Sequence, residues 1–124
     1  LGLDRGGSAK GIIFRMPASI AAQECDVIWK REMLSGAYAP SWVKVKNQDG
    51  ELVKAITFII RRDHPSFAAR QPEQHSAKII AEATGIIGAN SEYLFNTEAA
   101  LTAEGIHDFS LKRLTNLVRH YQNR

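Results

Sequence analysis

Cysteine is almost missing from this sequence, which has only Cys25 among its 124 residues. A single cysteine cannot form an internal disulfide, so the chain folds without covalent cross-links, as proteins of the reducing cytosol do. We therefore expect a cytoplasmic protein. The thiolate clusters that hold structural zinc are excluded as well. The histidines do not have metal-ligand spacing either, and we expect no metal site; they are His64, His75, His107 and His120.

Long hydrophobic runs are missing too. No apolar stretch approaches the length of a membrane-spanning helix, and the first residues do not resemble a signal peptide. Apolar residues make up 44% of the chain and charged residues 23%, so we expect one globular domain over residues 1–124 and no membrane partner. The sequence has no Gly-x-Ser-x-Gly motif, which disfavours a serine hydrolase. Gly6-Gly7 lacks the Gly-Lys-Ser/Thr that would complete a phosphate-binding loop.

The hydrophobic pattern predicts an α+β chain. Apolar runs predict strands at residues 9–16, 42–46 and 52–60, and the Asp49-Gly50 turn predicts that the last two form a hairpin. A polar connection, residues 61–74, follows. Helical spacing predicts one helix over about 20–34, with Ser19 as its N-cap, and three more at about 73–84, 91–104 and after the cap Asp108. Three strands are too few to close a barrel.

Glu32 is the first candidate for chemistry. It continues a helix face whose preceding members are apolar, and Ser35-Gly36 then ends the helix; those members are Ala21, Cys25 and Ile28. Burial disfavours the charged form of a carboxylate, which is how a general acid or base is prepared near neutral pH. The plainer interpretation is a solvated helical glutamate beside Arg31. On this pattern Cys25 is a small buried hydrophobe.

Tyr38 and Tyr93 are candidates for substrate binding. Tyr38 follows the turn that ends the Glu32 helix, and Tyr93 begins a helix after a glycine-containing turn. Each is equally well explained as a core tyrosine whose hydroxyl is satisfied. Asp63-His64 is a weaker catalytic hypothesis, because such a histidine is more often a surface residue.

The last predicted helix is basic, and the net charge of the chain is +3. Its positive residues alternate with an apolar stripe, as they do on any solvated helix face. No exposed aromatic run suggests base stacking. We therefore expect no nucleic-acid partner.

Four stretches of the sequence form a recognisable series. They are Gly2 to Ser8 followed by Gly11, Trp29 to Met33 followed by Gly36 to Tyr38, Thr57-Phe58 through Arg62 to Pro65, and Gly88 to Leu94. Together they resemble the ChaC-type γ-glutamylcyclotransferases, the glutathione-degrading family. They occur in the family's order and cover essentially the whole chain.

The resemblance implies a small mixed β-barrel flanked by helices, and a reaction on glutathione. The α-amine of the γ-glutamyl group attacks its own γ-carbonyl, which releases 5-oxoproline and Cys-Gly without a cofactor. Glu32 would be the general acid and base. The alternative is a non-catalytic small-molecule-binding or regulatory module with the same fold.

One family feature is absent from the sequence. The family's Tyr-Gly-Ser-Leu loop, which cradles the γ-glutamyl group and would supply oxyanion donors, does not occur here. We therefore expect these residues to be the C-terminal two-thirds of a cyclotransferase domain, inactive alone. Unpaired sheet edges would then be covered by the missing N-terminal segment or by strand exchange with a second copy.

Overall fold

The computed structural model describes residues 1–124 as four helices and two small antiparallel sheets. The elements are α1 (Ala18–Met33), β1 (Tyr38–Lys46), β2 (Leu52–Ile60), α2 (Glu73–Glu82), β3 (Thr84–Gly85), β4 (Gly88–Ala89), α3 (Asn90–Ala103) and α4 (Phe109–Gln122). The predicted α+β class is confirmed. Each sheet has two strands, and the chain divides into two units, Leu1–Ala69 and Arg70–Arg124.

The hairpin of β1 and β2 is the main element of the first unit. Its register runs from Tyr38 opposite Ile60 to Lys46 opposite Leu52. The alternating pattern of the sequence becomes an alternation of half-buried and exposed side chains along both strands. The turn closes through Gly50, whose φ of +81° is costly for any other residue. The predicted hairpin is confirmed.

The first residues of the chain lie along the outer edge of β2. Leu3 forms a parallel bridge with Ile59, and its carbonyl accepts a hydrogen bond of 2.9 Å from the amide of Ile60. Gly2 packs so closely there that a Cβ would collide with Ile60 and lie 3.1 Å from a ring carbon of Tyr38. A substitution at Gly2 would therefore displace this segment from the sheet.

The predicted strand at residues 9–16 is wrong. No regular element occurs between Leu3 and α1, and Phe14 in the centre of the apolar run is 83% exposed. A strand exists only where a neighbouring strand pairs with its backbone groups, and here none does. An apolar run by itself does not create that partner.

The predicted first helix is confirmed as α1, but two of its details are wrong. It begins after Pro17 without a side-chain cap, so Ser19 is not the N-cap. Cys25 is exposed, and its thiol lies 3.8 Å from the sulfur of Met16. The helix has no fully buried residue, and an edge-to-face contact joins Trp29 to Phe58 of β2. The helix therefore contacts the hairpin through Trp29, but it buries none of its own residues, Cys25 included.

The second unit has its own hydrophobic core, formed by α2, α3 and α4. Its fully buried members are Ala77, Leu94, Leu111 and Val118. Asp108 caps α4 as predicted, its carboxylate accepting a hydrogen bond of 2.9 Å from the amide of Leu111. The apolar stripe of α4 therefore faces α2 and α3.

A short hairpin in the second unit was not predicted. The glycine-containing turn that the sequence predicts before Tyr93, from Gly85 to Asn90, reverses the chain at Ile86 and Ile87. However, β3 and β4 also pair on either side of Ile86 and Ile87. Two-residue strands are too short to show any periodicity in the sequence.

A substitution at Thr115 tests the hydrophobic core of the second unit. It is 1% exposed, and its hydroxyl has no hydrogen-bond partner. Valine keeps the shape and removes the unpaired polar group, so we expect Thr115→Val to raise the free energy of unfolding by about 1 kcal/mol. Chemical denaturation measures the change, and Thr84→Val, at an exposed position of β3, is the control. If Thr115→Val lowered the free energy of unfolding, the result would contradict the finding that the Thr115 hydroxyl has no hydrogen-bond partner.

Candidate active site

Glu32 lies in the last turn of α1. Its side chain is 26% exposed, so it is largely covered although it is not in a core. Its carboxylate accepts hydrogen bonds from Arg31, with distances of 3.0 Å to Nε and 2.9 Å to Nη2. Arg31 is 75% exposed, so the pair is at the rim of the unit and contributes little to stability. The carboxylate therefore lies near the protein surface, at the border of the partly buried face of α1.

The chain reverses direction immediately after Glu32. The amide of Gly36 donates to the carbonyl of Met33 at 3.3 Å, and that of Ala37 donates to the hydroxyl of Ser35 at 3.2 Å. Gly36 has a φ of +69°, which explains why glycine ends this helix. The predicted stop at Ser35-Gly36 is confirmed.

The segment after β2 is bonded to this turn. The amide of Arg61 donates to the carbonyl of Ala37 at 2.8 Å, and its guanidinium donates to the carbonyl of Gly36 at 3.4 Å. The ring Nε2 of His64 lies 3.0 Å from the carbonyl oxygen of Ser35. The end of α1 is therefore tied to a segment that is distant in sequence.

Asp63 and His64 do not form a pair with each other. Both carboxylate oxygens of Asp63 accept hydrogen bonds from Arg61, at 3.2 and 2.8 Å, while the His64 ring bonds to backbone groups. The hydrogen bond from Arg61 holds the pKa of Asp63 below its usual range. The structure gives no support to the Asp63-His64 catalytic hypothesis.

Tyr38 is the first residue of β1 and is half-buried. It stands opposite Ile60 and packs beside Gly2, so its ring borders the N-terminal segment. No hydrogen bond joins its hydroxyl to Glu32, whose partner is Arg31. Both residues lie in the first unit on either side of the turn.

Tyr93 belongs to the second unit. It lies in the first turn of α3 and is 55% exposed, which excludes the interpretation as a core tyrosine. Its carbonyl accepts a hydrogen bond of 2.8 Å from the hydroxyl of Thr97, a contact within the helix. Its ring is therefore accessible to a ligand.

An ion pair between Asp4 and Arg62 was not found from the sequence. Arg62 donates from Nε and Nη2 to the two carboxylate oxygens, both at 2.9 Å. This bidentate bond fastens the N-terminal segment to the end of β2. Both residues belong to the motifs that resemble the family, but no local signal connects positions 58 residues apart.

The Asp4 carboxyl should report this pairing by its titration. The hydrogen bond from Arg62 lowers the pKa of Asp4 below its ordinary value of 3.8. Because the folded-state pKa is the lower one, the contribution to stability is present above pH 3.8 and is lost as the pH falls through the folded-state pKa. An NMR titration of the carboxyl measures this, and Arg62→Gln should return the pKa towards 3.8. Equal titration in both proteins would contradict the pairing.

Two open cavities of the structure lie away from Glu32. One, of about 350 Å³, lies between the end of α3 and the start of α4, and another, of about 290 Å³, lies on the hairpin beside Trp42. No group of three or more His, Cys, Asp or Glu side chains is placed to hold a metal ion. None of the four helices has the length and apolar character needed to cross a membrane.

Comparison with known proteins identifies the family. The ChaC-like protein family matches residues 1–121. The glutathione-specific gamma-glutamylcyclotransferase of Escherichia coli (strain K12) is 39% identical over 114 residues, which cover 92% of this chain and 49% of that protein. The chain thus spans about half the length of this curated relative.

Two solved structures share the fold. Both are of the gamma-glutamyl cyclotransferase specific to glutathione from yeast, one of them labelled with selenomethionine. They superpose with TM-scores of 0.74 and 0.71 at 23% identity, over 86% of this chain and 57% and 58% of the yeast chains. These matches confirm the resemblance that the four motifs indicated, and the chain belongs to the ChaC-like protein family.

Proposed function

We propose that the protein containing this chain is a γ-glutamylcyclotransferase that degrades glutathione to 5-oxoproline and Cys-Gly. The observation that carries this proposal is the 39% identity to the E. coli glutathione-specific enzyme, which extends over 92% of the chain. Identity at this level over both units makes a shared reaction the best explanation.

The reaction needs no co-reactant. The α-amine nitrogen of the γ-glutamyl group bonds to the γ-carbonyl carbon, and the bond from that carbon to the cysteine nitrogen breaks. One proton leaves the amine and one reaches the departing nitrogen, so a single carboxylate can perform both transfers in turn. The enzyme binds the substrate in a conformation that places the amine beside the carbonyl. Binding energy then offsets the entropy that the substrate loses on reaching this geometry.

Glu32 is the group that we assign to these proton transfers. Its position in the last turn of α1, with three-quarters of its side chain covered, suits a carboxylate at the edge of a binding site. Arg31 contacts one of its oxygens, Oε1, which leaves Oε2 without a protein partner. That second oxygen is available to an amine proton.

The tyrosines complete the proposal as substrate contacts. Tyr38 is half-buried and begins β1, directly after the turn that follows Glu32. Tyr93 presents an accessible ring at the start of α3. A phenolic hydroxyl can bond to the polar groups of a γ-glutamyl peptide while the ring covers its apolar parts. Negative charge on the γ-carbonyl oxygen calls for N–H donors, which the resemblance assigns to the Tyr-Gly-Ser-Leu loop that these 124 residues lack.

The architecture and location belong to the same proposal. The β1–β2 hairpin would be part of a small mixed β-barrel flanked by helices, and both units would belong to one cyclotransferase domain. The family match across residues 1–121 supports this, because it spans both units. An unpaired, exposed Cys25 suits the reducing cytosol, where glutathione is abundant.

The experiment is a product assay with the intact protein. Reduced glutathione is the substrate, 5-oxoproline and Cys-Gly are quantified by mass spectrometry, and a γ-glutamyl dipeptide without the glycine serves as a second substrate. Equimolar release of the two products from glutathione supports the proposal. Glutathione binding without turnover would favour the non-catalytic module instead.

A further inference from the structure

The ring of His64 has a hydrogen-bond partner at each nitrogen. Nε2 lies 3.0 Å from the carbonyl oxygen of Ser35, and Nδ1 lies 3.1 Å from the backbone amide of Ser66. The residue is half-buried. A histidine held at both nitrogens by backbone groups has little freedom to move, which separates it from an ordinary surface histidine.

These two partners determine which nitrogen carries the proton. A backbone N–H can only donate, so Nδ1 must accept from Ser66 and is not protonated. A carbonyl can only accept, so Nε2 carries the proton and donates it to Ser35. His64 is therefore a neutral Nε2–H imidazole in this structure, and it acts as a connector between two backbone segments.

The carbonyl that His64 holds is three residues after Glu32. Arg61, on the same segment, adds its bonds to the carbonyls of Gly36 and Ala37. Three consecutive carbonyls after the helix, those of Ser35, Gly36 and Ala37, are thus occupied from the 61–64 segment. By contrast, α1 has no fully buried residue. The end of this helix is consequently held more by these bonds than by a hydrophobic core.

We infer that His64 is a positioning residue for Glu32. By donating from Nε2 to the carbonyl of Ser35, it holds the last turn of α1 against the segment after β2 and so sets the place of the Glu32 carboxylate. The inference rests on the proposed function in one respect, that Glu32 transfers protons. Displacing a reacting group by about 1 Å costs up to about 100-fold in rate, so a loosened turn should lower turnover.

The protonation state is the first test, and it does not depend on activity. A long-range proton–nitrogen NMR spectrum of the protein labelled with ¹⁵N at histidine distinguishes the Nε2–H ring from the Nδ1–H ring. At pH 8 we expect His64 to be the Nε2–H form. An Nδ1–H ring would overturn the inference.

Three substitutions of His64 distinguish the effects of its two hydrogen bonds, one to Ser35 and one from Ser66. Glutamine places an N–H donor near the position of Nε2, so His64→Gln should keep the bond to Ser35. Asparagine offers a polar group near the position of Nδ1, so His64→Asn should keep only the bond from Ser66. His64→Ala keeps neither, and His75→Ala is the control at an exposed histidine of α2.

The kinetic result expected for glutathione follows from this series. His64→Ala and His64→Asn should lower kcat by about 10-fold or more, while His64→Gln stays within about 3-fold of wild type and KM stays within about 3-fold in all of them. Near-wild-type kcat in His64→Ala would overturn the inference. So would a His64→Gln variant as slow as His64→Ala, because the donor would then not be what matters.

Amide hydrogen exchange tests whether His64 holds the last turn of α1, and this measurement does not depend on the reaction. Amides in the last turn of α1 should exchange about 10-fold faster in His64→Ala and His64→Asn than in wild type, and at the wild-type rate in His64→Gln. If the wild-type protein released no 5-oxoproline, the proposed function would fail, and this exchange pattern would still support His64 as the holder of the turn. Equal exchange in all four proteins would overturn it.

Discussion

Replacing Glu32 with glutamine is expected to lower the rate of 5-oxoproline release from glutathione by about 100-fold or more. Glutamine has the shape of glutamate, and its amide oxygen can still accept the hydrogen bonds from Arg31. It cannot take a proton from the attacking amine. The fold should therefore persist while the chemical step fails, which lowers kcat more than it changes KM.

The control for this experiment lies on the same helix. Glu24 is an exposed residue of α1, so Glu24→Gln makes the same chemical change away from the turn and should retain wild-type kcat. Initial rates measured with saturating glutathione give kcat, and circular dichroism compares the folds. Turnover close to wild type in Glu32→Gln would remove Glu32 from the mechanism. Equal losses in both variants would show that the effect is not specific to Glu32.

The largest effect on stability is expected at Leu94. This leucine of α3 is 3% exposed and belongs to the core that α2, α3 and α4 share. Leu94→Ala removes buried methyl groups and leaves a cavity, so the free energy of unfolding should fall by about 2–4 kcal/mol. Because both tryptophans lie in the first unit, far-UV circular dichroism in a denaturant titration is the suitable signal.

A fully exposed isoleucine supplies the control for Leu94. Ile87, in the turn between β3 and β4, has its whole side chain in solvent. Ile87→Ala should change the free energy of unfolding by no more than about 0.5 kcal/mol. A loss at Ile87 as large as that at Leu94 would mean that the short hairpin is covered in solution and that the packing described for the second unit is incomplete.

The elements that the sequence predicted correctly are those with a local cause. The hairpin follows from strict alternation on both sides of Asp49-Gly50, and α4 follows from the Asp108 cap and a regular apolar stripe. In each case the residues that decide the structure lie within a few positions of one another. The predicted strand at residues 9–16 is wrong because a strand needs a second strand to pair with. An apolar run in the sequence does not reveal whether such a partner exists.

The candidate site was predicted only in part. The spacing of apolar residues before Glu32 predicted a carboxylate on a covered helix face, and the structure leaves that side chain 26% exposed and paired with Arg31. The same spacing wrongly placed Cys25 in a core, because helical periodicity shows which residues share a face and not whether another element covers it. The connection from His64 to Ser35 spans 29 residues and has no periodic signal at all.

By itself, the sequence determined the family, the α+β class, the hairpin, the four helices and the turn that follows Glu32. Each of these depends on local propensity or on motifs that can be recognised in order along the chain. Only the tertiary structure decided the partners of the polar side chains: Asp4 with Arg62, Asp63 with Arg61, and His64 with Ser35. A polar side chain bonds to whichever group folding brings within about 3 Å, and two of these three partners come from distant parts of the chain.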